Sequence, residues 1–283
     1  MANKKRSEIR ASARDILLDE FEEGVDLEFE DDYLNRIVRI TLDEVENKMP
    51  YEVKTIGLDD ISTIATTALT ATATNLTVAS DDDFSTTYPK YYAIEGEVIA
   101  ITALASADNF TITRGQLGST AATHAVGKGV GLAIITTANS KDIDISEITN
   151  LIRLRNWRPV EFEVGKNPIR WRNCFVFANT LTLDIDFLPA GDEAVYLYCL
   201  KKHTLTDASS TLGATAASIL LKGVCGRAAQ GKGRLQINSL NTGGVNVGPR
   251  MIEVGKMWMD EYKKALKTEA LEDNYEVLPR GVS

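Results

Sequence analysis

Apolar residues recur at intervals of three and four in two stretches early in the chain and two late in it, and at intervals of two in between. From Arg6 to Phe21, the residues Ile9, Ala13, Ile16, Leu17 and Phe21 form one stripe, with Glu8, Arg10, Arg14 and Asp15 outside it. That spacing predicts an amphipathic helix, stopped at Gly24. Leu34, Ile37, Val38, Thr41, Leu42, Val45 and Met49 predict a second helix, capped by Asp31 or Asp32 and ended by Pro50. After Asp207, Ser209 or Ser210 is the expected cap of a third helix, in which Leu212, Ala216, Ile219, Leu220 and Val224 run on to Ala228 and Ala229. Gly231 and Gly233 are expected to end it. Beyond a Gly-, Asn- and Thr-rich link over 238–248, Pro249 suits the first turn of a fourth helix striped by Met251, Val254, Trp258, Tyr262, Ala265 and Leu266.

The middle of the chain reads as β. Thr and Ala dominate from Ile61 to Phe84, predicting one or two strands that include Leu76 and Val78. Over 91–135, Ile94, Val98 and Ile101 precede a polar turn at Ser106 to Asn109, Phe110 and Ile112 alternate with Thr111 and Thr113, and Val130, Leu132 and Ile134 close a small all-β module. Val160, Phe162 and Val164 alternate with acidic residues. Leu181, Leu183, Ile185 and Phe187 alternate with Thr182, Asp184 and Asp186, the clearest period-two signal in the chain. A turn over Pro189 to Asp192 is expected to return this strand as Val195, Leu197 and Cys199, with Tyr196 and Tyr198 on the opposite face.

An isolated amphipathic helix cannot bury its stripe, so the four require one another. The expected class is therefore α+β: a helical bundle built from an N-terminal pair (1–50) and a C-terminal pair (208–283, including a tail), with a large antiparallel β region inserted as a β module (51–140) and a second β segment (141–207). Trp258 and Tyr262, four residues apart on one stripe, are expected on the buried side of the bundle or between subunits.

Composition and charge narrow the functional classes. A chain of 283 residues, 44% hydrophobic and 25% charged, fits a soluble globular protein with one large core or two ordinary ones. No apolar run approaches the roughly 18 residues of a membrane span, and Lys4, Lys5 and Arg6 lead into charged helix, so no membrane partner and a cytosolic site of synthesis are expected. Cys174, Cys199 and Cys225 are odd in number and far apart, and read as buried thiols. A net charge of −9 opposes binding of nucleic acid over the whole surface, although an acidic wall past which DNA slides is compatible with it. The local exception is Arg153, Arg155, Arg158, Lys166, Arg170 and Arg172, interleaved with Trp157 and Trp171; the strand patterning around them favours the solvent side of a sheet or a subunit joint over a nucleic-acid patch.

Enzymatic signals are weak. Gly226 to Gly233 satisfies Gly-x4-Gly-Lys but places Gly233 where a phosphate loop needs Ser or Thr for magnesium, and it follows a helical stripe rather than a strand. His124 and His203, the two histidines, have no second ligand at metal spacing. Asp184 and Asp186 point the same way from a strand, as a glycosidase pair does, but so does the wet face of any strand. No Gly-x-Ser-x-Gly elbow is present. No catalytic residue, cofactor or metal is expected.

Two resemblances add to this reading. The run Thr111-Ile112-Thr113-Arg114-Gly115-Gln116-Leu117-Gly118-Ser119, followed by small residues, His124 and a Gly-x-Gly, resembles a β module that recurs in structural proteins of tailed bacteriophages, where it docks subunits to neighbours. Beyond it, Ala11 to Phe21, Asp32-Tyr33-Leu34-Asn35-Arg36-Ile37, Met49-Pro50, the strand Leu181 to Phe187 and Tyr262-Lys263-Lys264-Ala265-Leu266 resemble the head-to-tail adaptor (connector) proteins of tailed phages. That resemblance implies a non-enzymatic virion protein, assembled in the host cytoplasm as a homo-oligomeric ring of about a dozen copies, a dodecamer. The ring would sit in the neck beneath the portal protein, continue the DNA channel to a tail or tail-terminator protein, and let phage DNA pass without sequence specificity. The family is often smaller and more helical, and the β insertion departs from it. Its members commonly insert a C-terminal extension into the portal, which makes Tyr275, Leu278 and Arg280 the candidate portal-docking residues. The alternative is a tail, baseplate or head-decoration protein using the same β module; a polysaccharide-cleaving tail enzyme is more distant, because the long β repeats of a tailspike are absent.

Overall fold

The computed structural model describes residues 4–17, 29–237 and 247–274. The class is α+β, with four helices and two large antiparallel sheets among the described residues. They form two compact units: residues 1–51 with 202–283, which hold the helices, and residues 52–201, which hold the sheets.

In the helical unit, α1 (Arg6–Leu17), α2 (Asp31–Lys48), α3 (Ala214–Ile237) and α4 (Val247–Asn274) contribute to one apolar core. Its buried members include Ile9 and Ala13 of α1, Leu34, Ile37, Val38 and Val45 of α2, Leu220 and Val224 of α3, and Tyr262 of α4. These positions carry the predicted stripes. Ile16 and Val254, however, are exposed, so the stripes of α1 and α4 are narrower than the pattern suggests. The position expected at Phe21 and the stop at Gly24 lie outside the described residues.

Two expected helix boundaries are corrected. The residue at the N-cap of α2 is Glu30, which makes no side-chain cap bond, and Asp31 and Asp32 fall in the first turn. There they complement the helix dipole, and Asp31 is held by Arg14 at 2.5 Å and Arg10 at 3.3 Å. Likewise α3 starts at Ala214, not at a serine cap, and the Ala217 amide donates to the Gly213 carbonyl.

Gly231 and Gly233 do not end α3; both lie inside it. They are contact points. A Cβ on Gly233 would stand 2.7 Å from the Gly248 carbonyl oxygen and 2.8 Å from Ile252, one on Gly226 would stand 2.8 Å from Met259, and one on Gly255 of α4 would stand 2.8 Å from the Gly226 carbonyl. The missing side chains let the backbones of α3 and α4 approach closely, as small residues do at tight helix crossings. This also disposes of the phosphate-loop spacing, because 226–233 is regular helix in which Gly226 and Gly233 face α4 and Gly231 faces Tyr33 of α2.

The β unit opens with two strands that the sequence pattern does not single out, β1 (Tyr51–Thr55) and β2 (Gly57–Thr63). A six-stranded sheet runs β2-β7-β4-β5-β6-β3, the others being β3 (Asn75–Thr77), β4 (Lys90–Ile94), β5 (Glu97–Ser106), β6 (Asn109–Thr113) and β7 (Gly129–Ala133). A seven-stranded sheet runs β1-β13-β10-β11-β12-β8, with β9 also on β13. Its strands are β8 (Asp142–Asp144), β9 (Leu151–Leu154), β10 (Val160–Phe162), β11 (Trp171–Phe177), β12 (Thr180–Asp184) and β13 (Val195–Lys201). Each sheet has its own apolar cluster, one around Phe110, Ile99 and Leu76 and the other around Phe162, Leu181 and Leu197. A third, smaller cluster joins Ile56, Ala93, Val98 and Tyr196.

The hairpin expected from the period-two strand is a different one. Leu181 and Leu183 are buried as the alternation requires, but β12 ends at Asp184 and Phe187 is exposed. β12 pairs with β11 and β8, and β13 pairs with β10 and β9. The segment after Pro189 does not turn back on β12. It follows residues 136–139 instead, through Asn139 N–H to the Pro189 carbonyl and Asp192 N–H to the Thr136 carbonyl, and so delivers β13 to the far side of β10. Backbone pairing to a neighbour distant in sequence overrides the local turn.

Candidate functional site

The phage-like motif surrounds one buried carboxylate. β4 and β5 meet at a two-residue turn, Glu95-Gly96, with Ile94 opposite Glu97. The first residue of β5, Glu97, is 1% exposed. It accepts from Arg114 Nε at 2.8 Å and Nη2 at 2.6 Å, from the amides of Gly115 and Ala122 at 2.9 Å each, and lies 2.9 Å from His124 Nε2. Arg114 also donates to the carbonyls of Thr70 and Ala122. His124 Nδ1 lies 2.8 Å from Glu95, whose other oxygen is 2.6 Å from Lys128. Ser119 accepts the Val98 amide at 2.9 Å.

Arg114 and His124 of the motif are therefore two jaws on one anion, and the small-residue run between them is the loop whose amides complete its coordination. Burial alone would raise the Glu97 pKa; the Arg114 fork, the Ala122 and Gly115 amides and His124 outweigh it and bring it down to about 2. Both ring nitrogens of His124 face carboxylates, and the ring is buried. The chemistry here fastens a loop to a sheet. Gly118 extends this to the second sheet: at φ +83° its backbone backs onto Gly165, and a Cβ on Gly165 would stand 2.5 Å from the Gly118 carbonyl oxygen.

The carboxylate sets an acid dependence. A folded-state pKa below the unfolded value means that Glu97 adds stability fully above about pH 4.5, and that this is lost as pH falls toward about 2. The expected loss is about 3 kcal/mol between those limits, measured by urea unfolding across that range. A flat profile between pH 5 and 3 would show that the clamp is absent in solution.

The basic run, with Lys54 of β1, builds a second feature around aromatic residues of β11 and β13. Lys54 Nζ lies 3.8 Å from the Tyr196 ring centroid, Arg155 lies 4.6 Å from Tyr198, and Arg158 lies 3.9 Å from Trp157 and 5.4 Å from Trp171. Trp171 and Tyr198 are 5.0 Å apart, centroid to centroid. The cations are also paired: Lys54 with buried Glu161 at 3.0 Å, Arg155 with Glu52 at 2.8 Å, and Arg170 with Glu163 at 2.6 Å. Arg155 further donates to the Trp157 and Arg158 carbonyls. Most of this positive charge is thus committed to ordering strands and their flanking loop.

Other candidates take structural places. His203 Nε2 donates to the Met49 carbonyl at 2.8 Å, its Nδ1 lies 3.2 Å from Thr211, and its amide donates to buried Glu46. Burial raises the Glu46 pKa against the opposing pull of that amide. The cysteine thiols are free; burial pushes Cys174 and Cys199 up to about 11 and Cys225 to about 12, so they remain neutral. Asp184 closes β12, whereas Asp186 lies beyond the strand, so strand alternation does not align the two as a catalytic pair. Tyr262 is 1% exposed and donates to Glu44 at 3.0 Å; Trp258 is half-buried against the same core. Tyr275, Leu278 and Arg280 lie outside the described residues. Among the described residues, no three His, Cys, Asp or Glu side chains gather to hold a metal, and no helix is long and apolar enough to cross a membrane.

Sequence reasoning missed Glu97, Glu95 and Lys128. The available signal was Arg114 itself, an arginine within a loop of small residues, which requires a carboxylate if the loop is packed. Comparisons with protein-family models, curated proteins and solved structures found no match for this chain.

Proposed function

We propose that this chain is a structural protein of a tailed-phage particle, a head-to-tail adaptor that forms a ring beneath the portal protein, continues the DNA channel and docks the tail. The observation that carries the non-enzymatic part of this reading is the Glu97 clamp: the histidine, arginine and carboxylate that could have done chemistry are buried and bonded to one another. A rigid β element fastened in this way suits a protein that holds neighbours in place. The shared apolar core of α1 to α4 supports treating the helices as the bundle of the adaptor frame, with the β unit as an insertion between its two pairs. The acidic balance, −9 overall, suits a channel wall that passes DNA without gripping it. A tail, baseplate or head-decoration protein remains the second reading, because the clamp is carried by the β module that those proteins also use.

In this reading the portal contact is made by the segment that follows α4, with Tyr275 and Leu278 filling pockets and Arg280 meeting an acidic group. Truncation after Asn274 keeps α4 whole, so the variant should fold, and it should fail to join portal-bearing heads in a pull-down and in micrographs of the virion neck. Attachment at wild-type level would move the docking site elsewhere. Location of the protein away from the neck would favour the second reading.

A further inference from the structure

The β11–β12 ribbon carries two unlike patches at its two ends. β10 pairs with only Trp171 and Arg172 of β11, so beyond them the ribbon is backed on one side by β12 and β8. The other edge of Asn173 to Phe177 is free of strand partners among the described residues, and that run, Asn-Cys-Phe-Val-Phe, contains no charge. Native sheets usually guard such an edge with charge, a bulge or a covering element. Phe175 and Phe177 share one face with Thr182 and Thr180 of β12 and with Asp142 and Asp144 of β8, following the register across the three strands. They are 67% and 87% exposed. On the same face beside this apolar tip stand Asp142 and Asp144 of β8, whereas the neighbouring cation, Lys141, turns its amine to the Ile185 carbonyl.

At the other end of β11, residues Lys166 to Arg172 line an open groove of about 530 Å³, floored by Pro168 and Ile169. Its charge is the reverse: Arg170 and Arg172 share one carboxylate, Glu163, and Lys166 has no ion pair among the described residues. A groove of this size accepts one or two aromatic side chains. The tip begins three residues beyond the groove on the same strand, roughly 10 Å from Arg172 to Phe175, so one molecule cannot fold its own tip into the groove.

We propose that the Phe175–Phe177 tip of one copy of this chain seats in the Lys166–Arg172 groove of the next copy. The contact joins an acidic, aromatic surface to a basic, apolar one, and the two surfaces are different patches of the same chain. It is therefore heterologous, and repetition either closes a ring or extends a filament. The proposal deepens the adaptor reading, on which it rests for the expectation of a ring, by assigning the self-association surface to the β unit.

The test is the assembly state of the full chain by mass photometry and sedimentation over a concentration series. Phe175→Ser with Phe177→Ser, at positions already exposed, should leave the far-ultraviolet circular dichroism unchanged and weaken assembly at least tenfold. Lys166→Glu should weaken it less, and Asp144→Lys added to Lys166→Glu should restore it, because the swapped charges meet across the contact. A wild-type chain that stays monomeric at all concentrations overturns the proposal, as does full assembly of the double-serine variant or a charge swap that is no better than Lys166→Glu alone. Head attachment is a separate readout: a protein that assembles through this contact but does not join portal-bearing heads leaves the inference standing and removes the adaptor reading.

Discussion

Glu97→Gln is expected to lower the stability of the β unit by about 3 to 5 kcal/mol, the cost typical of removing one partner of a buried ion pair. Glutamine keeps the shape and can still accept from an amide, but it leaves the Arg114 guanidinium, whose side chain is 7% exposed, without its counter-charge. It also removes a carboxylate facing His124. The loop from Gly115 to His124 should loosen first, because its Gly115 and Ala122 amides are bonded to the same carboxylate. Hydrogen exchange at those two amides, read alongside urea unfolding, separates this from a general loss of packing. A variant within 1 kcal/mol of the wild type, with both amides still protected, would mean that the clamp does not hold the loop.

Tyr262→Ala should cost the helical unit a similar amount, about 3 to 5 kcal/mol, because the ring is fully buried among residues from all four helices and its removal leaves a cavity. Tyr262→Phe isolates the bond to Glu44 and should cost roughly 1 to 2 kcal/mol. Trp258→Ala, at a half-buried position, should fall below Tyr262→Ala despite the larger side chain. Chemical unfolding followed at 222 nm gives the ranking, and a Trp258 variant more damaged than the Tyr262 variant would indicate that α4 is rotated about its axis from the orientation described.

What the sequence reveals and what it conceals follow from where the partner of each residue lies. The α2 stripe of Leu34, Ile37, Val38, Thr41 and Val45 is legible because helical periodicity is a local property, and every one of these residues is buried. Leu181 and Leu183 are legible for the same reason with period two. Gly231 and Gly233 are misread as a stop because their justification lies in other helices, Tyr33 of α2 for Gly231 and the backbone of α4, 15 residues further on, for Gly233, which no local rule can see. β1 and β2 escape notice because Tyr51 to Thr63 buries few residues fully and so alternates weakly. The β12 partner is missed because Pro189 to Asp192 has turn composition, while the pairing is decided by β11 and β8. The site divides along the same line. Arg114 and His124 stand out in the motif, but Glu97 sits beside a hairpin turn, where a glutamate normally faces water, and only the folded loop shows that it faces inward.

The split of the helical unit between the two ends of the chain orders events during synthesis. α1 and α2 leave the ribosome first, yet the residues that cover their stripes belong to α3 and α4, which begin at Ala214 and Val247. At about 5 to 20 residues per second, α2 waits roughly 10 to 40 s for α4, while the intervening β unit, whose strand partners all lie within 51–201, is already complete. For that interval the nascent protein carries an uncovered greasy helix pair, joined near its end by a complete β unit, and the apolar stripes close only when the last helix arrives.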